Sequence, residues 1–338
     1  MNSPEKKPLR VLSGMRPTGR LHLGNYVGAL ENWLALQQEH DCFFFVADWH
    51  ALTTDFADTA EVRDNIREMV TDWLAAGLDP NRATLFVQSD VPEHAELFLL
   101  FSMVTPLGWL ERVPTYKEQR ENIKDKDLGN FGFLGYPVLQ AADILMYKAN
   151  FVPVGEDQVP HVELTREIAR RFNSLYPTPL VFPEPESRLT VSARLPGTDG
   201  RKMSKSYNNY ILLSDPEPEI RKKLKTMVTD PARKRRTDPG NPDLCPVYDY
   251  HKLYSDADTL EKVNSGCRSA GIGCIECKGW VADRLVEKLR PLREKRKEFE
   301  QFPQRVWDVL AEGKRKAGRA AQQTMREVRA AMHLSEEK

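Results

Sequence analysis

Lys202-Met203-Ser204-Lys205-Ser206 puts two ammonium groups three residues apart, directly after Gly197-Thr198-Asp199-Gly200-Arg201, a stretch that disfavours a regular helix. Lysines on such a turn can close on a polyphosphate and neutralise the charge that builds up as a phosphate bond breaks. Near the N-terminus, Pro17-Thr18-Gly19-Arg20-Leu21-His22-Leu23-Gly24-Asn25 gathers a hydroxyl, an imidazole and two glycines at the start of a helix. Backbone N–H groups and the helix dipole favour an anion there, and glycine lets a nucleotide come close. The stretch is neither a P-loop, which needs Gly-Lys-Ser/Thr, nor Gly-x-Gly-x-x-Gly. A third group is Cys245, Cys267, Cys274 and Cys277, spaced C-x21-C-x6-C-x2-C with glycines around the last three. A flexible backbone lets thiolates converge, and such a cluster reads as metal ligands. A set of four cysteines suits structural zinc as well as a [4Fe–4S] cluster. Cys42 lies in an apolar run and reads as a core residue.

These residues need elements to hold them. The chain has 338 residues, enough for two or three domains with a proper core. Its zero net charge argues against a protein that coats nucleic acid non-specifically, while leaving room for local basic patches. Met1 to Arg10 is polar and no apolar run is long enough for a bilayer, so no membrane association is expected. The expected location is the cytosol, where thiols stay reduced.

Apolar runs predict strands at Leu9 to Ser13, Cys42 to Ala47, Thr84 to Gln88 and Phe151 to Val154. Helical spacing is read over Gly24 to Gln38, Thr59 to Ala76, Glu93 to Leu110, Pro137 to Lys148 and His161 to Asn173, with Gly77 and Pro80 ending the second of these. Continuous apolar strands alternating with helices imply an α/β fold: a Rossmann-like parallel sheet with helices on both faces. Ligands then sit at the carboxyl ends of the strands. Pro177 to Pro185 reads as a connection, and beyond Tyr207 the chain becomes charged and helical. The expected domains are 1–206, catalytic; 207–302, helical and cysteine-bearing; and 303–338, a C-terminal helix that packs back on the first.

Four segments in order resemble one family. His22-Leu23-Gly24-Asn25 is a variant of the HIGH motif and Lys202 to Ser206 is a complete KMSKS motif, the pair that marks class I aminoacyl-tRNA synthetases. Tyr136-Pro137-Val138-Leu139-Gln140-Ala141-Ala142-Asp143-Ile144-Leu145 and Val152-Pro153-Val154-Gly155-Glu156-Asp157-Gln158 resemble the amino-acid pocket of bacterial-type tryptophanyl-tRNA synthetases. The resemblance runs over nearly the whole chain. It implies a catalytic sheet domain, a helical anticodon domain and a homodimer. It also implies activation of L-tryptophan by ATP and Mg²⁺ to tryptophanyl-adenylate, then transfer to tRNA(Trp). Thr18, His22, Gly24 and Asn25 then fall on the ATP site. Lys202 and Lys205, with Met203 and Ser204 between them, fall on the loop that stabilises the leaving pyrophosphate. Gly155, Asp157 and Gln158 fall on the adenylate side. The cysteine spacing is similar to that of a subset carrying a [4Fe–4S] cluster in the anticodon domain.

An indole offers an apolar body and one N–H donor, so a selective pocket needs apolar walls and one buried acceptor. Asp143, inside an apolar helix stripe, matches the family's acceptor. Tyr136, His50, Val152 and Val154 match other pocket positions, though the tyrosine and valines could equally be core. Gln140 stands where many relatives carry methionine, and Arg16 where many carry glutamine. Gln140 is expected to bond the substrate amino group or Asp143, and Arg16 to reach the ATP phosphates. Arg233-Lys234-Arg235-Arg236, and Lys314-Arg315-Lys316 with Arg319, are the candidate tRNA phosphate contacts. The rival readings are a tyrosyl-tRNA synthetase, a small-molecule nucleotidyltransferase, and an iron–sulfur RNA-binding or redox protein on a synthetase fold.

Overall fold

The computed structural model describes residues 8–113, 129–177, 179–190 and 195–334. The polar stretch at the N-terminus, Met1 to Lys7, lies outside the described residues.

Strand β1 (Arg10–Met15) is followed by a turn and then helix α1 (Leu23–Asn25), a π-turn (Tyr26–Leu30) and α2 (Glu31–Leu36). Next come β2 (Asp41–Val46), α3 (Asp48–Asp55), α4 (Val62–Ala76) and β3 (Ala83–Val87). Helix α4 ends where expected, at Gly77, whose φ of 117° gives the left-handed C-cap. Helices α5 (Glu93–Val104) and α6 (Leu107–Leu110) replace the single helix expected over Glu93 to Leu110. Pro106 is the cause, because it pushes Thr105 to an extended backbone. Helix α7 (Phe131–Met146) starts earlier than the sequence suggested. The Asn130 side chain caps it by accepting from Phe133 N at 2.9 Å, and Pro137 is carried within it. Then come β4 (Phe151–Val154), α8 (Val159–Leu175) and β5 (Glu186–Leu189).

The strands form one parallel sheet in the order β3-β2-β1-β4-β5. Register runs from Arg10 opposite Asp41 to Met15 opposite Val46, and from Cys42 opposite Ala83 to Val46 opposite Val87. Alternate residues of β2 feed two cores: Cys42, Phe44 and Val46 face one, Phe43 and Phe45 the other. Chain order reverses between β1 and β4, so a crevice opens there at the carboxyl edge. β5 carries no apolar pattern and was not foreseen. Its four residues are exposed, and it exists because it pairs with β4.

The remaining elements are α9 (Glu217–Thr226), α10 (Pro246–Tyr254), α11 (Ala257–Arg268), α12 (Cys274–Gln301) and α13 (Gln304–Ala331). Helix α12 packs on α4 and α9. Helix α13 lies against β3 at the sheet edge, where it covers a strand that would otherwise be open to pairing. Thr324 Oγ1 donates to Met146 O at 2.7 Å, and Arg329 pairs with Glu96, so α13 is also tied to α7 and α5.

The approach of α13 to the strand depends on one glycine. A Cβ at Gly313 would stand 1.7 Å from the carbonyl oxygen of Leu85, which is backbone and has no room to move. Gly313→Ala is therefore expected to lower stability by about 3 kcal/mol. Urea unfolding of the variant against the parent measures it; a change within about 0.5 kcal/mol would contradict this packing.

Candidate active site

A cavity of about 440 Å³ opens at the carboxyl edge where β1 and β4 meet. That volume suits one small ligand. Its walls come from Leu12, Ser13 and Gly14 of β1, from Val152 and Val154 of β4, and from Phe45 of β2. His50 of α3 and Tyr136, Gln140 and Asp143 of α7 close it from one side. Arg16, Gly155 and Gln158 line its mouth side, where the strands give way to loops. Burial pushes the Arg16 guanidinium down from its ordinary value while Tyr136 and Asp55 pull it up. It remains a cation. Arg16 Nη1 donates to Thr54 Oγ1 at 3.4 Å.

Asp143 is 1% exposed, and protein donors surround its carboxylate. His50 Nε2 lies 2.7 Å from Oδ2 and His94 Nδ1 lies 2.6 Å from Oδ1. Gln88 Nε2 reaches both oxygens, at 2.8 and 3.0 Å. His94 Nε2 in turn meets Tyr147 Oη at 2.7 Å. Burial pushes the Asp143 carboxyl up, but the bonds and charge from His50 and His94 outweigh it and hold the group below its usual range. It is an ionised acceptor. The glutamine on Asp143 is Gln88, not Gln140. Gln88 follows the last residue of β3 and meets α7 across the core, whereas Gln140 lines the cavity. Gln88 Oε1 is itself buried with no hydrogen-bond partner among the described residues. A clasp from Asp48 to Ser89 N, 3.1 Å, sets the start of α3 and therefore the place of His50. Tyr136 Oη contacts His161 Nε2 at 3.2 Å.

The second group surrounds the turn between β1 and α1, which leads into Gly28, Ala29, Asn32 and Trp33 of the cavity wall. His22 N-caps α1: its Nδ1 accepts from Asn25 N at 3.2 Å, and Asn25 Oδ1 accepts from His22 N at 3.1 Å. An accepting Nδ1 leaves the ring proton on Nε2. Burial first, and then the charge of Lys205, lower the His22 pKa to about 4, so the ring is neutral. Gly19 turns the chain with φ 76°, a conformation that suits glycine. The lysine loop meets this turn directly. Gly24 N points at Met203 Sδ, 3.3 Å away, and Lys205 Nζ bonds the carbonyl of Thr18. Burial pushes the Lys205 ammonium down and the charge of Asp72 opposes that. Ser204 N donates to Asn209 Oδ1 at 2.8 Å, while Asn209 Nδ2 holds Lys202 O at 3.0 Å. Lys202 and Thr18 are exposed. Asp157 is exposed and accepts from the Gln158 amide at 3.0 Å.

The four cysteines share one neighbourhood in the helical half. Burial, and then Cys245, Cys267 and Cys274, push the Cys277 thiol up to about 12. Arg233 Nη1 lies 3.7 Å from Cys267 Sγ, and His251 Nε2 lies 3.3 Å from Cys277 Sγ. The thiols are neighbours without being drawn onto one point: among the described residues, no three His, Cys, Asp or Glu side chains are arranged to hold an ion. Cys42 is buried and burial lifts its thiol to about 12, as expected of a core residue.

Of the basic runs, Lys234, Arg235 and Arg236 are exposed, whereas Arg233 is spent on Ile272 O and Cys267. In the second run Lys316 donates to Pro80 O at 3.1 Å, while Lys314 and Arg315 are exposed beside the surface carboxylates of Asp90 and Glu312. Gln88, His94, Tyr147 and Asn209 were not singled out from the sequence. The position of Gln88 directly after a parallel strand was the one available signal for it. Nothing local marks His94 or Tyr147.

Residues 4–290 match the family of class I tRNA synthetases for tryptophan and tyrosine. A tryptophan–tRNA ligase from Thermotoga maritima is 55% identical over 328 residues, covering 96% of this chain and 99% of its own. One from Ralstonia nicotianae is 50% identical, covering 97% and 99%. The crystal structure of the Campylobacter jejuni tryptophanyl-tRNA synthetase, complexed with ADP and tryptophan, superposes with a TM-score of 0.86 at 33% identity, over 96% of this chain and all of that one. Matched at this identity over nearly its full length, the chain belongs to the bacterial tryptophanyl-tRNA synthetases, class I ligases that join tryptophan to tRNA.

Proposed function

We propose that tryptophan binds in the cavity with its indole against Asp143, and that ATP lies between the His22 turn and the Lys202–Lys205 loop. The observation that carries this reading is a buried ionised acceptor in a cavity walled by both apolar and polar side chains, beside the reversal of strand order. The indole N–H donates to Asp143. His50, Gln88 and His94 supply three donors, and an ionised carboxylate can accept about four, so room is left for the indole N–H. His50 lines the cavity, and the indole N–H approaches Asp143 beside it. A ring without a donor would bury the charge without that bond and is rejected. Tyr136, Val152 and Val154 wall the indole. Gln140 would bond the substrate amino group, and Gln158 lies on the adenylate side with Gly155 and Asp157.

Activation needs no protein nucleophile. A tryptophan carboxylate oxygen attacks the α-phosphorus, the bond to the bridging oxygen breaks, and pyrophosphate leaves. A ribose hydroxyl of the tRNA terminus then attacks the adenylate carbonyl, and AMP leaves. The protein supplies position and charge. Lys202 and Lys205 take up charge on the leaving pyrophosphate, with Met203 and Ser204 setting their loop. Thr18 and the Nε2–H of His22 donate to the triphosphate beside Gly24 and Asn25, Arg16 reaches it across the cavity, and Gly155 and Asp157 face the adenosine. When bound with ATP, Mg²⁺ would supply further neutralisation of the phosphate charge.

Cys245, Cys267, Cys274 and Cys277 would hold a [4Fe–4S] cluster, with zinc as the competing occupant. Support comes from the closeness of the four thiols and from Arg233 and Lys278 beside them, whose charge opposes the burial that lifts the Cys267 and Cys277 thiols. Such a group would order the helical half. Lys234, Arg235 and Arg236 near it would contact tRNA phosphates. A homodimer is supported by an exposed apolar face: Leu99 and Met103 one turn apart on α5, Leu107 on α6 and Phe131 at the start of α7, each more than half exposed. Among the described residues no helix is long and apolar enough to cross a membrane. A cytosolic location is the one expected of this family.

Three outcomes test these assignments. Asp143→Ala, and the milder Asp143→Asn, should lose at least about 100-fold of tryptophan-dependent pyrophosphate exchange. Unchanged exchange would sink the pocket assignment, and running each amino acid in turn tests the specificity. Protein purified without oxygen should be brown, with about four iron and four sulfide per chain; stoichiometric zinc without iron refutes the cluster. His22, His161 and His251 have folded pKa values of about 4, below the unfolded value of about 6.5. Their neutral forms favour the fold above about pH 6.5, and that stability is lost as pH falls towards 4. The urea midpoint should therefore drop between about pH 7 and 4.5, and less so in His22→Gln.

A further inference from the structure

Arg296 is among the largest fully buried side chains, 2% exposed, and it comes from α12 in the helical half. Its guanidinium pairs with Asp72 and Glu68 of α4, and with Glu300 at 2.9 Å. Asp72 is wholly buried. One of its oxygens takes Arg296, and the other accepts from the backbone N–H of Leu21 at 2.6 Å. Leu21 directly precedes His22. Glu68 reaches the same turn a second way, accepting from Arg20 Nε at 2.7 Å.

The other flank of the turn is held as well. Leu23 N donates to Ile211 O and Leu213 N to Leu21 O, both at 2.9 Å, so the segment beyond the lysine loop forms a bridge to His22. Asp215 Oδ2 accepts from Leu212 N at 2.9 Å, and Arg293 of α12 donates to Asp215 O at 3.3 Å. Arg293 and Arg296 lie one turn apart. One turn of α12 thus braces both strands of the bridge that carries His22.

We propose that Arg296, acting through Asp72, is a positioning residue for nucleotide binding, fixing the His22 turn from the helical half of the enzyme. The proposal rests on the reading of that turn as the ATP site. Neither side chain touches the tryptophan cavity, so the effect should fall on ATP and spare tryptophan. A carboxylate that holds one backbone N–H sets where the N-cap of α1 begins. A fork donor on its second oxygen sets where the carboxylate points. Without Arg296 the carboxylate keeps its N–H bond but loses its fixed direction. Lys205 binds the carbonyl of Thr18, three residues before Leu21, so the lysine loop touches the same turn.

The test is tryptophan-dependent pyrophosphate exchange with full-length Arg296→Lys, Arg296→Met and the pair Asp72→Asn/Arg296→Met, with melting temperature recorded for each. Arg296→Met should raise KM for ATP about tenfold while KM for tryptophan stays within about twofold. Arg296→Lys keeps one charge on Asp72 and should fall between that and the parent. The paired variant buries no unmatched charge, so it should regain melting temperature while KM for ATP stays high. That result holds even if Arg296→Met alone fails to fold. Recovery of KM for ATP in step with melting temperature would make the pair a structural ion pair and overturn the proposal. So would an unchanged KM for ATP in every variant. His22→Ala is the control: if it too leaves KM for ATP unchanged, the reading of the ATP site has failed, not the role of Arg296.

Discussion

A carboxylate shut away from water must be given hydrogen bonds on both oxygens, and the arrangement around Asp143 follows from that need. Leaving one buried polar group without a partner costs about 1–3 kcal/mol, and a charge costs more. Asp143 collects its donors from three separate places: His50 of α3, Gln88 at the end of β3 and His94 of α5. Each is carried by a different element, so satisfying the charge fixes how those elements stand around α7. The cavity floor is a by-product of the same bonds. Its acceptor is ionised because the surrounding histidines hold it so.

A second buried carboxylate performs a parallel task on the opposite face of the sheet. Asp143 belongs with the core that contains Phe43 and Phe45, and Asp72 with the core that contains Phe44 and Trp73. One faces the cavity, and the other holds the turn that starts α1. The cavity itself is lined from both sides, by Asp143 and by Trp33. Removing one partner of such a buried pair is expected to cost about 3–5 kcal/mol. Both carboxylates are therefore strongly committed to their places.

Much of the architecture was legible because it rests on local pattern. The runs in β2 and β3 are too apolar to face water, and helices between them force a parallel sheet. Gly77 ends α4 for a reason visible in the residue itself. The elements misread are those whose cause is not local. β5 has no apolar residue pattern and forms by pairing with β4, while α7 begins before Pro137 because Asn130 caps it. Within the basic run on α13, the contact of Lys316 with Pro80 O is one that spacing alone does not show.

The sequence by itself determined the chemistry on offer. It marked His22, Lys202, Lys205 and Asp143, placed the first at a helix start and the last in an apolar stripe, and set four thiols in one window. Residue type and spacing suffice for that, since they fix which groups can donate, accept or carry charge. Which partner each group meets was decided only by the tertiary structure. Gln88, and not Gln140, bonds Asp143; Arg296 reaches Asp72 from 224 positions away. Hydrogen bonds act over about 3 Å. Contacts that short between distant parts of a chain exist only after the sheet and helices have packed.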